Sequence, residues 1–206
     1  MKVIGIGGSP RNNGNTEYFI RITLDALERE GIETEYISLR EKTIDECSGC
    51  YYCIKERECS IKDDFQDIFK KMVEANGIIL GSPVYHAGIT PKLKALLDRA
   101  GFLCRWIEND MVDKNQNYDW KGTAFSRKVV SPITVARRAG QNFAFAQILL
   151  WATVNDCIVV GSNYWNIGVA GVGGRRDADE DLEGIGTMEH LASNIAYVIK
   201  NLNNQN

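Results

Sequence analysis

Gly7-Gly8-Ser9-Pro10-Arg11-Asn12-Asn13-Gly14-Asn15-Thr16 joins a short apolar run, Val3-Ile4-Gly5-Ile6, to a segment from Thr16 to Glu30. In that segment Phe19, Ile22, Leu24 and Leu27 suit one face of a helix. A loop between a buried strand and a helix N-terminus aims backbone N–H groups, and the positive end of the helix dipole, at whatever sits there. That favours an anion. Glycines let the backbone approach closely, Ser9, Asn15 and Thr16 bring hydroxyl and amide donors, and Arg11 brings a charge-matched fork. The loop is neither G-x-G-x-x-G nor a run ending in G-K-[ST], so the pattern points to a monophosphate cradle and away from a dinucleotide or Walker site.

Outward from this loop the chain alternates. Lys2 to Gly7 and Glu33 to Ser38 read as strands around the Thr16 to Glu30 helix, with Gly31 as its stop. Lys62-Asp63-Asp64 supplies a cap for a helix carrying Phe65, Ile68, Phe69, Met72 and Val73 up to Ala75. Gly77-Ile78-Ile79-Leu80-Gly81 is a continuous apolar run, as in a strand buried on both faces. Pro91 opens a helix reaching about Ala100. Lys128 to Thr134 and Cys157 to Gly161 read as the fourth and fifth strands, with a helix from Asn142 to Thr153 between them and a last helix from about Gly186 to Leu202. The stretch of about 104–127 lacks periodicity and reads as an excursion over the surface, and Asn201 to Asn206 as a frayed tail.

The expectation is one α/β domain over residues 1–206, an open parallel five-stranded sheet with helices on both faces. Such sheets bind ligands beyond the carboxyl ends of their strands. Loops 7–16, 82–88, 135–141 and 162–176 all lie at that edge.

Bulk properties narrow the partners. With 206 residues, 44% of them hydrophobic and 25% charged, the chain suits one soluble domain. A net charge of -3, with acids and bases interspersed, gives no footprint for nucleic acid or an anionic membrane. No apolar run approaches the roughly 18 residues of a membrane span, and no basic leader precedes the first strand, so the chain reads as cytoplasmic. Only two histidines are present, and a hydrolytic triad finds little support.

Four of the six cysteines fall within Cys47-Ser48-Gly49-Cys50-Tyr51-Tyr52-Cys53-Ile54-Lys55-Glu56-Arg57-Glu58-Cys59. A regular α/β domain needs no disulfide staples, so this segment asks for a metal or redox explanation. Thiolates three apart, twice over, suit neighbouring irons of one cubane, and Cys59 closes the set. Zinc fits less well, because structural zinc sites bring two separated pairs together and this run is compact. Unligated structural thiols are the remaining alternative. Cys104 and Cys157 read as small buried hydrophobes, and His190 as a packing residue of the last helix.

Two further loops face the same sheet edge. Ser82-Pro83-Val84-Tyr85-His86-Ala87-Gly88 offers, in Pro83, Val84 and Tyr85, a stiff apolar surface and one ring, which suits a flat heteroaromatic ligand. Ala136-Arg137-Arg138-Ala139-Gly140-Gln141 offers small residues and an arginine, Arg138 being the one chosen, to stabilise negative charge on a ring edge. Gly171-Val172-Gly173-Gly174 does not directly join a strand to a helix and reads as a connection.

Gly8-Ser9-Pro10-Arg11 through Gly14-Asn15-Thr16, then Gly81-Ser82-Pro83-Val84-Tyr85, then Lys92-Leu93-Lys94-Ala95-Leu96-Leu97-Asp98-Arg99, resemble the NADPH-dependent FMN reductase family of flavodoxin-like proteins over nearly the whole chain. The resemblance implies FMN, its phosphate held by Ser9, Arg11, Asn15 and Thr16 and its ring lined by Pro83, Val84, Tyr85 and His86. The cysteine spacing resembles the iron-sulfur flavoprotein branch, which carries FMN and a 4Fe-4S cluster, here on Cys47, Cys50, Cys53 and Cys59.

Flavin chemistry at N5 needs no protein base, so no catalytic side chain is expected. The expected function is an electron-transfer oxidoreductase passing electrons between cluster and FMN, fed by a ferredoxin-like donor or NAD(P)H. The alternatives are a cluster-free NAD(P)H-dependent FMN or quinone reductase and a flavodoxin-type carrier that is not an enzyme. The resemblance also implies a homodimer or homotetramer, in which one chain's cluster serves a neighbour's flavin.

Overall fold

A computed structural model describes residues 1–107, 120–171 and 177–204. Its centre is a parallel sheet in the order β2 (Glu33–Ser38), β1 (Lys2–Gly7), β3 (Gly77–Pro83), β4 (Val129–Ala136), β5 (Ile158–Val159), with the short β6 (Ile167–Val169) pairing the far end of β4. Side chains alternate across each strand, and both faces are covered. Ile4, Ile6, Ile78, Leu80 and Val130 pack under α3 (Phe65–Glu74), α4 (Pro91–Leu103) and α5 (Gln141–Val154). Val3, Ile79, Val129, Ile133 and Val135 pack under α1 (Asn15–Arg29) and α6 (Leu182–Asn203). This double burial is why β3 reads as an unbroken apolar run.

The five-stranded parallel sheet and its helices are those expected, and β1 and β2 have the expected bounds. Other elements differ. β4 runs on to Ala136, because Thr134 to Ala136 finds a partner in β6, a strand of three residues too short to leave a periodic signal. A single-turn helix, α2 (Tyr52–Glu56), lies inside the cysteine segment. Asn201–Asn203 belong to α6, where the amides of Asn201 and Asn203 donate to Tyr197 O and Ile199 O at 2.7 and 2.8 Å. The excursion is partly core: Phe125 is fully buried, with ring centroids 5.7 Å from Phe69 and 5.6 Å from Trp151. Its middle, 108–119, and the end of the Asn-rich tail, 205–206, lie outside the described residues. Among the described residues no helix is long and apolar enough to cross a membrane.

The strand order reverses at β1, where the chain leaves to β2 on one side and β3 on the other. Doubly wound sheets bind ligands at that switch point.

Candidate functional site

A cavity of about 260 Å³ opens beyond the carboxyl ends of β1 and β3. The first loop supplies Ser9, Arg11, Asn15 and Thr16 to its wall; the loop after β3 supplies Pro83, Val84 and Tyr85. The N-cap of α1 is Gly14, which makes no side-chain cap hydrogen bond, and the first residues of the helix, Asn15 and Thr16, line the cavity, so the positive end of the helix lies at its wall. The two loops are welded at their bases. Gly8 N donates to Gly81 O at 2.8 Å, Thr90 Oγ1 donates to Gly8 O at 2.9 Å, and Thr90 N donates to Ser82 Oγ at 3.0 Å. A Cβ on Gly8 would stand 2.7 Å from Thr90 Oγ1, so only glycine permits the approach.

Asn15 has a task that the sequence reading missed. Its side chain is bonded to the segment that enters α6: Asn15 Nδ2 donates to Asp177 Oδ1 at 3.0 Å, and Asn15 Oδ1 accepts from Asp177 N and Ala178 N at 3.0 and 3.1 Å. Asp177 Oδ1 also accepts from Gly171 N at 2.7 Å, and Gly171 lines the cavity. Beyond Gly171, the Val172–Gly174 part of the glycine run lies outside the described residues.

The loop after β3 turns sharply. Tyr85 and Gly88 exchange backbone hydrogen bonds of 2.8 Å each way, and His86 and Ala87 between them have φ of 46° and 64°. Two central residues with positive φ make a turn of the primed type, which non-glycine residues occupy at a cost. Neighbours hold it in place. Val84 N donates to Val135 O at 2.9 Å and Ile89 N to Gln147 Oε1 at 3.0 Å. Gly140, at φ 91°, lies so near that a Cβ there would meet Val84 Cγ1 at 3.0 Å. The turn leaves His86 exposed and outside the cavity lining. In the third loop it is Arg137 that lines the cavity, where the sequence reading chose Arg138. β4 runs to Ala136, immediately before Arg137, and Arg138 is exposed and outside that lining.

A second cavity, of about 90 Å³, is lined by Cys47, Cys50, Cys53 and Cys59 together with Arg99, Phe102 and Leu103 of α4. Left-handed residues wind the chain around it: Gly49 at φ 65°, then Tyr51 and Arg57 at φ 57° and 59°, flanking α2. Cys47 and Cys50 are exposed, Cys53 and Cys59 half-buried. Hydrogen bonding from Ser60, whose Oγ is 3.2 Å from Cys50 Sγ, and then from the Tyr52 backbone, lowers the Cys50 thiol to about 7. Burial pushes the Cys53 thiol up.

Among the described residues no three Cys, His, Asp or Glu side chains gather as they would around one metal ion. In a cubane each thiolate binds a different iron, so the demand is for four thiols around a shared void. All four cysteines of the segment are among the residues that line this cavity. The wall also holds Arg99, whose Nε is buried with no hydrogen-bond partner among the described residues.

Sequence reading gave Arg99 no role, although it had a signal: α4 buries Leu93, Leu96, Leu97, Ala100 and Leu103, and Arg99 is buried among them on that apolar face. Elsewhere, burial first of all pushes the Cys104 and Cys157 thiols up to about 12; Cys104 is buried as expected, and Cys157 is only half-buried. His190 is exposed on α6 and does not pack.

α4 spans the two cavities. Its N-terminal end, at Thr90, is bonded to both loops of the first cavity, and Arg99 and Phe102 line the second. At 1.5 Å of rise per residue the interval from Thr90 to those two side chains is roughly 14 to 18 Å.

Comparison with known proteins gives three results. The family model for NADPH-dependent FMN reductase matches residues 1–171. An iron-sulfur flavoprotein of Methanocaldococcus jannaschii is 40% identical over 97% of this chain and 98% of its own, and one of Methanosarcina thermophila is 31% identical over 97% and 96%. Among solved structures, RosB with bound 8-demethyl-8-formylriboflavin-5'-phosphate superposes with a TM-score of 0.76 at 15% identity, covering 99% of this chain and 81% of that one. An archaeal flavodoxin superposes with a TM-score of 0.61 at 13% identity, covering 97% and 99%.

Proposed function

The chain belongs to the NADPH-dependent FMN reductase family of flavin-dependent oxidoreductases, its cofactor is FMN, and from that premise we propose that it is an iron-sulfur flavoprotein that moves electrons between a 4Fe-4S cluster and FMN. The observation that carries this reading is the pair of cavities joined by α4, one lined by the phosphate and ring loops and the other by all four clustered cysteines. When bound, FMN exchanges electrons singly or in pairs, and an iron-sulfur cluster exchanges them one at a time.

The residues have separate duties. Ser9, Arg11, Thr16 and the positive end of α1 hold the phosphate, and Asn15 fixes that loop to Asp177. Pro83, Val84 and Tyr85 form one wall for the ring, and Arg137 supplies positive charge at its edge. Cys47, Cys50, Cys53 and Cys59 are the cluster ligands. No side chain has to take a proton from substrate.

The proposed assembly has two or four chains, in which the cysteine cavity of one subunit faces the flavin cavity of another. Its support is α5, which leaves Phe143, Leu150 and Val154 at 69%, 69% and 59% exposure. The electron donor is tested by anaerobic stopped-flow spectroscopy. Rapid bleaching by a reduced ferredoxin and slow bleaching by NADPH is the expected result; the reverse would favour a hydride-fed reductase. A strictly monomeric, electron-competent protein in sedimentation analysis would overturn the assembly.

A further inference from the structure

Arg99 is a charged residue in an apolar interface, and its side chain is 1% exposed. Burying a guanidinium costs free energy unless its charge is matched and its donors are used. Asp63, 4% exposed, matches it through two bonds, 2.6 Å from Nη1 to Oδ2 and 3.0 Å from Nη2 to Oδ1. The guanidinium also lies 4.1 Å from the centroid of the Phe65 ring. A structural ion pair would need no more than this.

The remaining donors go elsewhere. Nη1 donates to Asp45 O at 3.1 Å and Nη2 to Ile61 O at 3.0 Å, one partner on each side of the cysteine segment. Nη2 also approaches Cys59 Sγ at 3.3 Å. Asp63 completes the closure by accepting from Asp45 N at 2.9 Å. One planar fork on α4 therefore closes the two ends of the segment on each other and sets Nη2, whose two hydrogens are shared among Asp63 Oδ1, Ile61 O and Cys59 Sγ, against the last of its four thiols.

We propose that Arg99 is the positioning residue of the cysteine site: it clamps both flanks of segment 47–59 to α4, and its N–H bond to Cys59 sets the reduction potential of the group those cysteines hold. The second half rests on the reading of the cysteines as iron-sulfur ligands. Adding an electron to a cluster concentrates negative charge on its sulfurs, and a donor fixed against one of them stabilises the reduced form more than the oxidised. Arg99 thus raises the potential and eases entry of the electron. Lysine keeps the charge but has no fork that reaches Asp45, Ile61 and Asp63 together.

Arg99→Met, Arg99→Lys and Asp63→Asn test both halves. In the metal-free protein, hydrogen–deuterium exchange across residues 45–61 should rise about tenfold or more in all three variants, since each loses charge-assisted bonds. In anaerobically purified protein, redox titration followed by electron paramagnetic resonance should show the cluster midpoint moved to lower potential in Arg99→Met and by less in Arg99→Lys, with the FMN midpoint unmoved. Arg99→Lys and Asp63→Asn keep the test open if Arg99→Met does not fold. Unchanged exchange would overturn the clamp. An unchanged cluster midpoint in Arg99→Met, or equal midpoints in both Arg99 variants and wild type, would leave Arg99 a tether and overturn its influence on potential. Wild-type protein without iron would overturn the cluster reading and the claim about potential, while the exchange measurement would still decide the clamp.

Discussion

Asn15 and Asp177 hold each other in both directions: the Asn15 amide donates to the Asp177 carboxylate at 3.0 Å, and the Asp177 backbone N–H donates to the Asn15 carbonyl at 3.0 Å. The bond closes the loop between β1 and α1, the proposed phosphate site, against the chain that enters α6. Asn15→Asp would set two carboxylates face to face and remove the donor. The expected result is FMN affinity lowered about 10- to 100-fold, as the loss of one to two charge-assisted bonds implies. Asn15→Ala should lose less. Flavin fluorescence quenching measures both, and equal affinity in Asn15→Asp and wild type would show that the latch has no part in binding.

Gly8→Ala forces a Cβ to within 2.7 Å of Thr90 Oγ1 and 3.3 Å of Gly81 O. The hydroxyl cannot swing away without giving up its bond to Gly8 O. Stability should fall by about 1–3 kcal/mol, the usual cost of overpacking, and FMN affinity should fall with it because both loops shift. Urea denaturation with and without FMN measures the two effects. A variant as stable as wild type would mean that the loops are not welded here.

The pH response of the metal-free protein follows from Asp63. Burial works against its charged form, but hydrogen bonds from Arg99 and from the Asp45 and Phe65 backbone outweigh it and hold the carboxyl below its ordinary 3.8. A carboxyl lowered in the fold contributes stability that is complete above its unfolded value and lost as pH falls through its folded value. The stability gap between wild type and Asp63→Asn should therefore stay constant from pH 7 down to about 5 and narrow below about 4. Urea midpoints across that range measure it. A gap that widens on acidification would contradict the assignment.

What could be read in the sequence was whatever local pattern imposes. β1, β3 and the glycine-rich loop between β1 and α1 are legible because a doubly buried strand must be apolar throughout and a tight strand-to-helix turn draws on glycine and small polar residues. β6 is not, since three residues supply no period and the strand exists only by pairing Thr134 to Ala136. Of the two arginines that follow that pairing, Arg137 is the one in the cavity lining. Cysteine spacing is local, but the residue that holds the segment, Arg99, lies about 40 positions beyond Cys59. Its burial between Leu96 and Leu103 was the one trace it left in the pattern.

The central claim is that each chain carries FMN in the first cavity and a cluster in the second. Its most direct measurement is the FMN, iron and acid-labile sulfide content of wild-type and Cys53→Ser protein purified without oxygen. The account predicts about four irons and four sulfides per FMN in wild type, and loss of iron and sulfide with FMN retained in Cys53→Ser. Wild-type protein with a full complement of FMN and neither iron nor sulfide would contradict it.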